Sequence, residues 1–552
     1  MLEGDKILDV EQLSISFGDK DVFVAVNDLS FSLEKGKTLA IVGESGSGKS
    51  LSALSIIGLL PKEAHVTGTA TLCIAGADYV LMGKEHKKGV RGKLIGMVFQ
   101  EPMSALNPVM KIGKQLKESI TIHQQLNNNE AKTLAVEWLG KVKLPNPSGI
   151  YDRYPHELSG GQKQRVMIAM AMCNNPSLLI ADEPTTALDV TVQQEVVLLM
   201  KELQREHNTA MIFITHDLNL AAKTADSLLV MYKGDVVEHG AIKAVLEQPQ
   251  HKYTKALLAC RPSPDQKGKQ LPVVADFLND TLPKDRAYKV TATKDSILEV
   301  DELKVYFEQK KSLFSKVPNF FKAVDGVSFQ IKKGEVLGLV GESGCGKSTI
   351  GKALMGLLPI TDGKVLYEGK DLASLDSKGW NAMRTEMQII FQDPFASLNP
   401  RMTIGAMLME PMKVHHIVPT QELEDEAKRL LDMVHLPHDA MKRYPHQFSG
   451  GQKQRLGIAR ALALRPKLII CDEIVSALDV SVQAQILNLL KELQEKLGLS
   501  YLFISHDLNV VHYISDRVMV MQSGKIVEIG NADQVLLHPS HEYTQALVEA
   551  IP

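Results

Sequence analysis

Four segments of the chain recur at one fixed distance. YPHELSGGQKQR (154–165) returns as YPHQFSGGQKQR (444–455), and ADEPTTALDV (181–190) returns as CDEIVSALDV (471–480), each 290 residues later. FITHDLN and HKYTKAL return in the same way as FISHDLN and HEYTQAL. A repeat of such long period means that a whole folding unit has been copied. We therefore predict two domains of like architecture, which suits a chain of 552 residues, longer than one hydrophobic core usually supports.

A segment without clear periodicity separates the two copies. Residues 262–295 contain Pro, Lys, Asp and Thr in a mixture typical of a linker. We therefore expect a first domain at 1–261, a linker at 262–295 and a second domain at 296–552. The second copy is longer before its glycine-rich loop, at 308–322, where mixed charge and aromatic content indicate a surface hairpin.

Short apolar runs alternate with helical stretches in both halves. TLAIVG (38–43), LLIAD (178–182) and AMIFIT (210–215) have the composition of buried strands, whereas 160–172 and 190–207 have helical periodicity. Continuous apolar strands that alternate with helices are typical of a mostly parallel sheet covered by helices. Each half is therefore predicted to be an α/β domain.

Composition excludes several classes of function. The chain has 62 basic and 65 acidic residues, so it offers no large positive field for nonspecific binding of nucleic acid. The basic run at 84–93 is better explained as a solvated face. The sequence contains neither the apolar run of roughly 18 residues that a membrane span needs nor a signal-peptide pattern. Its five cysteines form no CxxC pair, so we expect a cytosolic protein with reduced thiols.

Two glycine-rich loops match the phosphate-binding pattern G-x-x-x-x-G-K-[ST], each between an apolar strand and a helical stretch. In such a loop the backbone N–H groups surround the phosphates, the lysine reaches the outer phosphates and the following serine ligates Mg²⁺. We therefore predict ATP and Mg²⁺ as cofactors. The predicted nucleotide-contacting residues are Gly43, Glu44, Ser45, Gly46, Ser47, Gly48, Lys49, Ser50 and Leu51 in the first copy and Gly341, Glu342, Ser343, Gly344, Cys345, Gly346, Lys347, Ser348 and Thr349 in the second.

A second glycine-rich motif narrows the prediction. LSGGQ (158–162) and FSGGQ (448–452), each about 20 residues before an apolar run that ends in Asp-Glu, resemble the signature sequence of ATP-binding cassette (ABC) ATPases. The resemblance covers nearly the whole chain. It implies two tandem P-loop NTPase domains, each with a mostly parallel sheet core, an antiparallel β subdomain and a helical signature subdomain. In that family the signature turn of one domain contacts the nucleotide of the other, which implies that the two domains pair and adds Ser159, Gly160, Gly161, Gln162, Ser449, Gly450, Gly451 and Gln452 to the site.

The same resemblance assigns the remaining site residues. Asp182 and Asp472 resemble the aspartates that hold Mg²⁺, and Glu183 and Glu473 resemble the catalytic carboxylates that orient and deprotonate water. It also implies Mg²⁺-sensing glutamines (Gln100, Gln392), switch histidines that contact the γ-phosphate (His216, His506), aspartates that communicate across the domain pair (Asp189, Asp479) and aromatic residues that stack on adenine (Phe17, Phe307). The implied Mg²⁺ set is Ser50, Gln100, Asp182, Ser348, Gln392 and Asp472.

Each of these residues also has an ordinary structural explanation. An Asp-Glu pair after a strand commonly caps a helix, and a lone glutamine or histidine in a loop is usually solvated. The same ordered series occurs twice, however, and this favours function. Ile474 replaces Pro184 and Phe448 replaces Leu158 between the copies, but neither change removes a charged or hydroxyl group. We therefore predict two competent sites.

The residues of these motifs, together with HKYTKALL and HEYTQALV downstream of each set, resemble the dipeptide/oligopeptide/nickel uptake family. The resemblance is to those members in which both ATPases are fused. This implies an ATP-hydrolysing importer subunit at the cytoplasmic face of a bacterial inner membrane. Its implied partners are two permease subunits, whose coupling helices dock near the glutamine loops, and an extracytoplasmic solute-binding protein. The transported solute stays open.

The alternative is a soluble double-cassette ATPase that acts on ribosomes or nucleic acid. Such a protein normally carries a long charged helical linker, whereas 262–295 is short and mixed in composition. A DNA-repair ATPase of this type would have zinc-type cysteine pairs, and exporters commonly fuse the cassette to a membrane domain. The importer is therefore favoured.

Overall fold

The structure is a computed structural model that describes residues 6–18, 20–74, 76–81, 89–185, 189–281, 286–289, 292–308, 320–393, 398–476 and 478–550. The chain folds into two compact units, of which the first comprises residues 1–258 and the second residues 259–551. Most of the predicted surface hairpin at 308–322 and half of the basic run at 84–93 lie outside the described residues.

The first unit contains two sheets. Its strands are β1 (Lys6–Phe17), β2 (Phe23–Glu34), β3 (Thr38–Val42), β4 (Ala64–Ile74), β5 (Ala77–Val80), β6 (Ile95–Val98), β7 (Leu178–Asp182), β8 (Ala210–Thr215), β9 (Ser227–Tyr232) and β10 (Asp235–Ala241). Its helices are α1 (Lys49–Ile57), α2 (Pro102–Ala105), α3 (Ile112–His123), α4 (Asn128–Lys141), α5 (Pro147–Tyr151), α6 (Gly160–Met172), α7 (Val190–His207), α8 (Leu218–Thr224), α9 (Ile242–Glu247) and α10 (Lys252–Ala259), the last of which ends at the unit boundary.

The larger sheet of the first unit has the strand order β10-β9-β3-β8-β7-β6. Its neighbours pair in parallel except for β10, which is antiparallel to β9. Every residue of β3, β7 and β8 is buried, which explains why these strands are continuous apolar runs in the sequence. The carboxyl ends of parallel strands share one edge, so the loops that follow β3, β6, β7 and β8 meet there.

A smaller antiparallel sheet, in the order β2-β1-β4-β5, packs on this core. One apolar cluster joins residues of β1 and β2, such as Leu13 and Leu29, to residues of the large sheet, such as Ile41 and Ile212. A second cluster packs α3 to α6 against α7 and includes Trp138 and Ile168. The unit thus has a sheet core, an antiparallel β part and a helical part that contains the signature motif.

The second unit repeats this architecture. Its strands are β11 (Ser296–Glu308), β12 (Phe320–Lys332), β13 (Val336–Val340), β14 (Asp362–Tyr367), β15 (Lys370–Asp371), β16 (Met387–Ile390), β17 (Leu468–Asp472), β18 (Ser500–Ile504), β19 (Arg517–Gln522) and β20 (Lys525–Asn531). Its helices are α11 (Val274–Leu278), α12 (Lys347–Leu354), α13 (Ser377–Glu386), α14 (Ile404–Val414), α15 (Leu423–Met433), α16 (Gly450–Leu462), α17 (Val480–Leu497), α18 (Leu508–Ile514), α19 (Ala532–Leu537) and α20 (Glu542–Glu549).

Both units also contain short 3₁₀ helices. One lies in the first unit, at Pro155–Glu157, and the second unit has others at Pro264–Gln266, Leu372–Ser374, Thr420–Glu422, His438–Lys442 and Pro445–Gln447.

The two sheets of the second unit have the same topology as those of the first. The large sheet runs β16-β17-β18-β13-β19-β20, with only β20 antiparallel to its neighbour among the described strands, and the small one runs β12-β11-β14-β15. The predicted fold class, two tandem P-loop NTPase domains with sheet core, antiparallel β part and helical part, is confirmed. The predicted domain boundaries stay a prediction, although residues of the predicted linker 262–295 pack within the second unit, where Leu271 is fully buried.

Candidate nucleotide sites

The glycine-rich loop after β3 has a backbone that only glycine adopts without strain. Gly43, Gly46 and Gly48 have φ angles of 155°, 81° and 100°. A Cβ atom on Gly43 would lie 2.2 Å from the carbonyl oxygen of Met231. The loop after β13 repeats this conformation, with φ angles of 150°, 82° and 112° at Gly341, Gly344 and Gly346. The glycines that the motif predicted are therefore required by the backbone itself.

The motif lysines are buried inside these loops. Lys49 Nζ donates hydrogen bonds to the backbone oxygens of Gly43 at 2.8 Å and Glu44 at 2.9 Å. Lys347 Nζ makes the equivalent bonds to Gly341 and Glu342 at 2.8 and 2.9 Å. Each ammonium group is thus held at the mouth of a loop whose N–H groups can surround an anion.

The next residue of each loop is joined to the end of a neighbouring strand. Ser50 Oγ donates to Asp182 Oδ1 at 2.9 Å, and Ser348 Oγ donates to Asp472 Oδ1 at 2.8 Å. Burial raises the pKa of both carboxyl groups, while the serine hydroxyls oppose that shift. A hydroxyl and a carboxylate at this spacing are oxygen ligands of the kind that Mg²⁺ prefers, so these residues fit the predicted ion.

A glutamine and a histidine converge on the glutamate that follows each of these aspartates. Gln100 Nε2 donates to Glu183 Oε2 at 3.0 Å, and His216 Nδ1 lies 3.4 Å from the same oxygen. The second unit repeats both contacts around Glu473, with 2.8 Å from Gln392 Nε2 and 3.5 Å from His506 Nδ1. The loops after three neighbouring strands therefore bring one carboxylate, one amide and one imidazole together.

Electrostatics in the second unit favour an ion pair. Burial alone would lower the pKa of His506, but the hydrogen bond and charge of Glu473 outweigh burial and leave that pKa raised. Burial likewise opposes ionisation of Glu473, yet His506 and the charge of Lys347 leave its pKa lowered. The carboxylate therefore stays ionised, the state in which it accepts a proton.

Both glutamates have an unusual backbone that was not predicted from the sequence. Glu183 and Glu473 lie in the left-handed region, with φ angles of 44° and 50°. A non-glycine residue there is uncommon, and such strain concentrates at functional sites. The backbone N–H groups of these residues donate to Ile214 and Ile504 at 3.0 Å each, which fixes the strained turn to the next strand. The local sequence does not predict the left-handed conformation, because glutamate has no preference for it.

The signature motifs form helix N-termini. Ser159 Oγ accepts from Gln162 N at 3.3 Å, and the Gln162 side chain accepts from Ser159 N at 3.2 Å, which is a capping box at the start of α6. Ser449 and Gln452 form the same box at α16, at 3.4 and 3.1 Å. A Cβ atom on Gly161 would lie 2.6 Å from Val192, so the close packing of α6 and α7 explains that glycine. Contact of each signature turn with the opposite nucleotide stays a prediction.

The remaining predicted residues are placed at the ends of other elements. Phe17 ends β1 and Phe307 is the penultimate residue of β11, with 38% of the Phe307 side chain exposed. Asp189 caps α7, since its Oδ1 accepts from Val192 N at 2.9 Å, and Asp479 precedes α17. Adenine stacking by the two phenylalanines and communication through the two aspartates stay predictions.

A tyrosine from each unit's C-terminal motif also holds the glycine-rich loop. The backbone N–H of Glu44 donates to the Tyr253 hydroxyl at 3.0 Å, and that of Glu342 donates to the Tyr543 hydroxyl at 3.1 Å. Tyr253 is fully buried and packs on Tyr232 with ring centroids 4.3 Å apart. These tyrosines were not predicted from the sequence, although the recurrence of HKYTKAL as HEYTQAL was a signal.

Comparison with known families decides the identity. The ABC transporter family matches residues 26–186 and 324–476, the ranges that hold the glycine-rich loops, signature motifs and Asp-Glu pairs. The chain belongs to the ABC transporter family. The C-terminal region of oligopeptide/dipeptide transporters also matches, at 237–281 and 527–552. The resemblance stated from the motifs is therefore confirmed, and the chain is an ABC ATPase, the ATP-binding subunit of an importer.

Curated relatives match this ABC protein along its whole length. Glutathione import ATP-binding protein GsiA of Pectobacterium atrosepticum is 44% identical over 566 residues, which cover 100% of this chain and 90% of the relative. The protein of the same name from Escherichia coli is 45% identical over 562 residues, with the same coverage. A solved dimeric ATP-binding cassette with ADP and Pi covers 43% of this chain and 98% of its own, at 27% identity and a TM-score of 0.39. Within the part of the chain that the structure describes, no helix is long and apolar enough to cross a bilayer.

Proposed function

We propose that this ABC ATPase hydrolyses ATP at two equivalent sites and thereby energises uptake of peptides or similar small solutes through a separate membrane permease. One observation supports the two sites above all. In each unit a glutamate next to the Ser–Asp pair is held by a glutamine and a histidine at matching distances. A general base must be positioned in this way before it can act on water.

Each residue has a defined role in the proposed reaction. Lys49 and Lys347 neutralise charge on the outer phosphates, and the loop N–H groups bind the remaining oxygens. Mg²⁺, held by the Ser–Asp pairs and the two glutamines, supplies further charge compensation when bound. Glu183 and Glu473 orient the attacking water and accept its proton, while His216 and His506 contact the γ-phosphate.

We further propose that the two domains pair so that each signature turn completes the site of the other repeat. The turn residues Ser159, Gly161, Ser449 and Gly451 lie at helix N-termini, where backbone N–H groups and the helix dipole favour an anion. ATP binding would then close the pair and hydrolysis would open it, a motion that can be transmitted to a partner.

The family supports the proposed partners. Two permease subunits, with coupling helices near Gln100 and Gln392, and an extracytoplasmic solute-binding protein would place the chain at the cytoplasmic face of the inner membrane. The matched oligopeptide/dipeptide region and the relatives named for glutathione import support a peptide or a glutathione-like cargo.

Replacing both proposed bases tests the chemistry. We expect Glu183→Gln with Glu473→Gln to keep ATP binding, measured with a fluorescent ATP analogue, and to lower ATP hydrolysis by orders of magnitude. Glu206→Gln, at an exposed end of α7, is the control and should leave hydrolysis unchanged. Undiminished hydrolysis in the double variant would remove both glutamates from the mechanism.

Copurification tests the importer. We expect the chain, isolated gently from its own cells, to bring two multispanning membrane proteins with it. Recovery with ribosomes instead would support the soluble double-cassette alternative and contradict the importer.

A further inference from the structure

In the second unit, a length of chain outside the repeat covers the long helix α17. We call residues 264–281 and 286–289 the covering segment. Its Leu271 is fully buried, and both backbone polar groups of Leu271 bond to one side chain: Leu271 N donates to Asn488 Oδ1 at 2.9 Å, and Asn488 Nδ2 donates to Leu271 O at 2.8 Å. Tyr513 on α18 adds a bond to the oxygen of Lys269 at 2.7 Å. The segment is thus held by backbone recognition, which needs polar side chains on the helices beneath it.

The covering segment and the helices beneath it also carry opposite charges at their points of contact. Lys267 Nζ lies 2.7 Å from Asp533, and Arg286 lies 3.0 Å from Glu495. The backbone N–H of Lys289 donates to the same Glu495 at 2.9 Å. Two basic side chains of the covering segment therefore pair with acidic residues of α17 and α19, although the segment also contains three aspartates.

The equivalent place on the first unit is an open groove. It lies between α7 and α8 and has a volume of about 450 Å³. Its lining comprises three apolar residues, the basic residues Lys201, Arg205 and Lys223, and also Gln194 and Glu202. Leu198 stands at the position of Asn488, 290 residues earlier, with 65% of its surface exposed. Val197 and Leu220 form the buried floor beside it. We call this the first groove.

The charge is reversed at two positions around the first groove, while Glu202, which is paired with Lys143, is acidic like Glu492 of the covered surface. Arg205 stands where the second unit has Glu495, and Lys243 stands where it has Asp533. Lys223 replaces Tyr513, and all three basic side chains are exposed. Like charges across an interface are strongly unfavourable, so Lys243 and Arg205 would repel Lys267 and Arg286 of a covering segment placed there, whereas acidic side chains would pair with them.

Leu198 also determines the backbone of that occupant. A side chain without polar atoms cannot replace the two bonds that Asn488 makes, so an extended segment laid there would bury unpaired N–H and C=O groups. A helix satisfies its backbone internally and presents an apolar stripe. The groove between two helices is therefore suited to a helical ligand.

We propose that the first groove binds an amphipathic helix of a partner polypeptide, with its apolar face on Leu198 and Leu220 and acidic side chains facing Arg205, Lys223 and Lys243. The inference is independent of the proposed hydrolysis mechanism, since α7 and α8 present this groove on residues that the site does not use. It assigns different binding preferences to two surfaces that descend from one repeated sequence.

A charge exchange tests the proposal on the full-length chain. The probes are a labelled amphipathic peptide of about 18 residues with leucines on one face and glutamates beside them, and the same peptide with lysines in place of the glutamates. We expect the glutamate peptide to raise fluorescence anisotropy with the native chain, and the lysine peptide to bind at least about tenfold more weakly. Arg205→Glu with Lys243→Asp should reverse this preference.

Matched variants separate the groove from general charge effects. Lys35→Glu with Lys62→Glu makes the same change in net charge elsewhere on the first unit and should leave the preference unchanged. Leu198→Asn should weaken the glutamate peptide, because it removes the apolar anchor. Equal binding of both peptides to the native chain, or loss of preference in the Lys35 and Lys62 variant, would overturn the proposal. Binding of a peptide with the sequence of residues 264–289 to the first groove, located by cross-linking, would also overturn it, since a second copy of the covering segment would then be the occupant.

Discussion

The two repeats agree closely at the nucleotide site and differ on the face formed by α7 in one and α17 in the other. At the site, the Ser–Asp bond measures 2.9 Å in the first unit and 2.8 Å in the second, and the Gln–Glu bond measures 3.0 and 2.8 Å. On the other face, an exposed leucine in one repeat is an asparagine beneath a covering segment in the other. The two repeats therefore share one geometry at the nucleotide site, while the helices α7 and α17 present two different surfaces along their length.

This difference shows which constraints act on a duplicated domain. Phosphate binding and proton transfer require particular groups within hydrogen-bond distance, so both copies keep them. Surface contacts require only complementarity to whatever packs there. Ile474 can replace Pro184 because both are apolar and the backbone of the preceding glutamate is left-handed in both copies.

The largest expected effect tests the equality of the two sites. Since we propose that the two domains close as one pair around both nucleotides, Glu183→Gln and Glu473→Gln, made separately, should each lower the kcat for ATP by about a hundredfold or more. The two factors should be the same, because the contacts around each glutamate match. Steady-state hydrolysis at saturating ATP measures both. A near-native rate in one single variant would break the comparison and make the two sites functionally unequal.

A smaller effect concerns the free energy of unfolding of the second unit, through the contact between α17 and the covering segment. Asn488→Ala leaves the buried N–H and C=O of Leu271 without their bonds and should destabilise the second unit by about 2–4 kcal/mol. Leu198→Ala, the matched change in the first unit, removes an exposed side chain and should cost under about 0.5 kcal/mol. Hydrogen exchange at the Leu271 amide, with urea unfolding of the whole chain, distinguishes the two. Equal costs would mean that Asn488 does not hold the covering segment.

A buried lysine of α17, Lys491, gives a pH-dependent prediction. Burial lowers the pKa of Lys491 to about 8 from its ordinary 10.5. The unfolded chain therefore binds this proton more tightly, so the free energy of unfolding rises with pH between those two values and carries the full penalty below about pH 8. Lys491→Met should stabilise the chain by about 1–3 kcal/mol at pH 7, and the gain should shrink as pH rises toward 10.5. Thermal unfolding at several pH values measures it.

Lys201→Met, at the equivalent position of the first unit, is the control for that experiment. The Lys201 ammonium donates to the backbone oxygen of Lys223 at an exposed position, so its replacement should give no stabilisation at pH 7. A pH-independent gain from Lys491→Met would assign the effect to packing and contradict the linkage to its proton.

The smallest expected effect concerns the tyrosines that hold the glycine-rich loops. Tyr253→Phe and Tyr543→Phe each remove one hydrogen bond to a loop N–H and should weaken ATP binding at their own loop by about threefold to tenfold, or roughly 1 kcal/mol. Titration with a fluorescent ATP analogue measures the change. A loss in only one variant would show that the two loops depend differently on their C-terminal motifs.

Much of the candidate site was predictable because the side chains that meet there lie in short motifs. One order of residues occurs in both halves and indicated which residues meet; in the first half it is Lys49, Ser50, Gln100, Asp182 and Glu183. The alternation of apolar strands and helices likewise predicted both parallel sheets. Elements of this kind are encoded locally, since strand, turn and helix preferences and the glycine positions act over a few residues.

Other features were not predictable, because they depend on residues far apart in the chain. The left-handed conformation of Glu183 is imposed by the strand that contains Ile214, and Tyr253 reaches Glu44 from the other end of the first unit. Residues 262–295 were predicted from composition to be a linker, and composition cannot show that Leu271 becomes fully buried against Asn488.

The sequence by itself determined that this protein has two α/β repeats, each with the motifs of one proposed ATP site, because a duplicated order of motifs is visible without coordinates. The tertiary structure alone decided which surfaces around those repeats are covered and which are open. The physical reason is that a motif binds through neighbouring backbone groups, whereas a covered face depends on pairing between side chains and segments that the chain brings together only on folding.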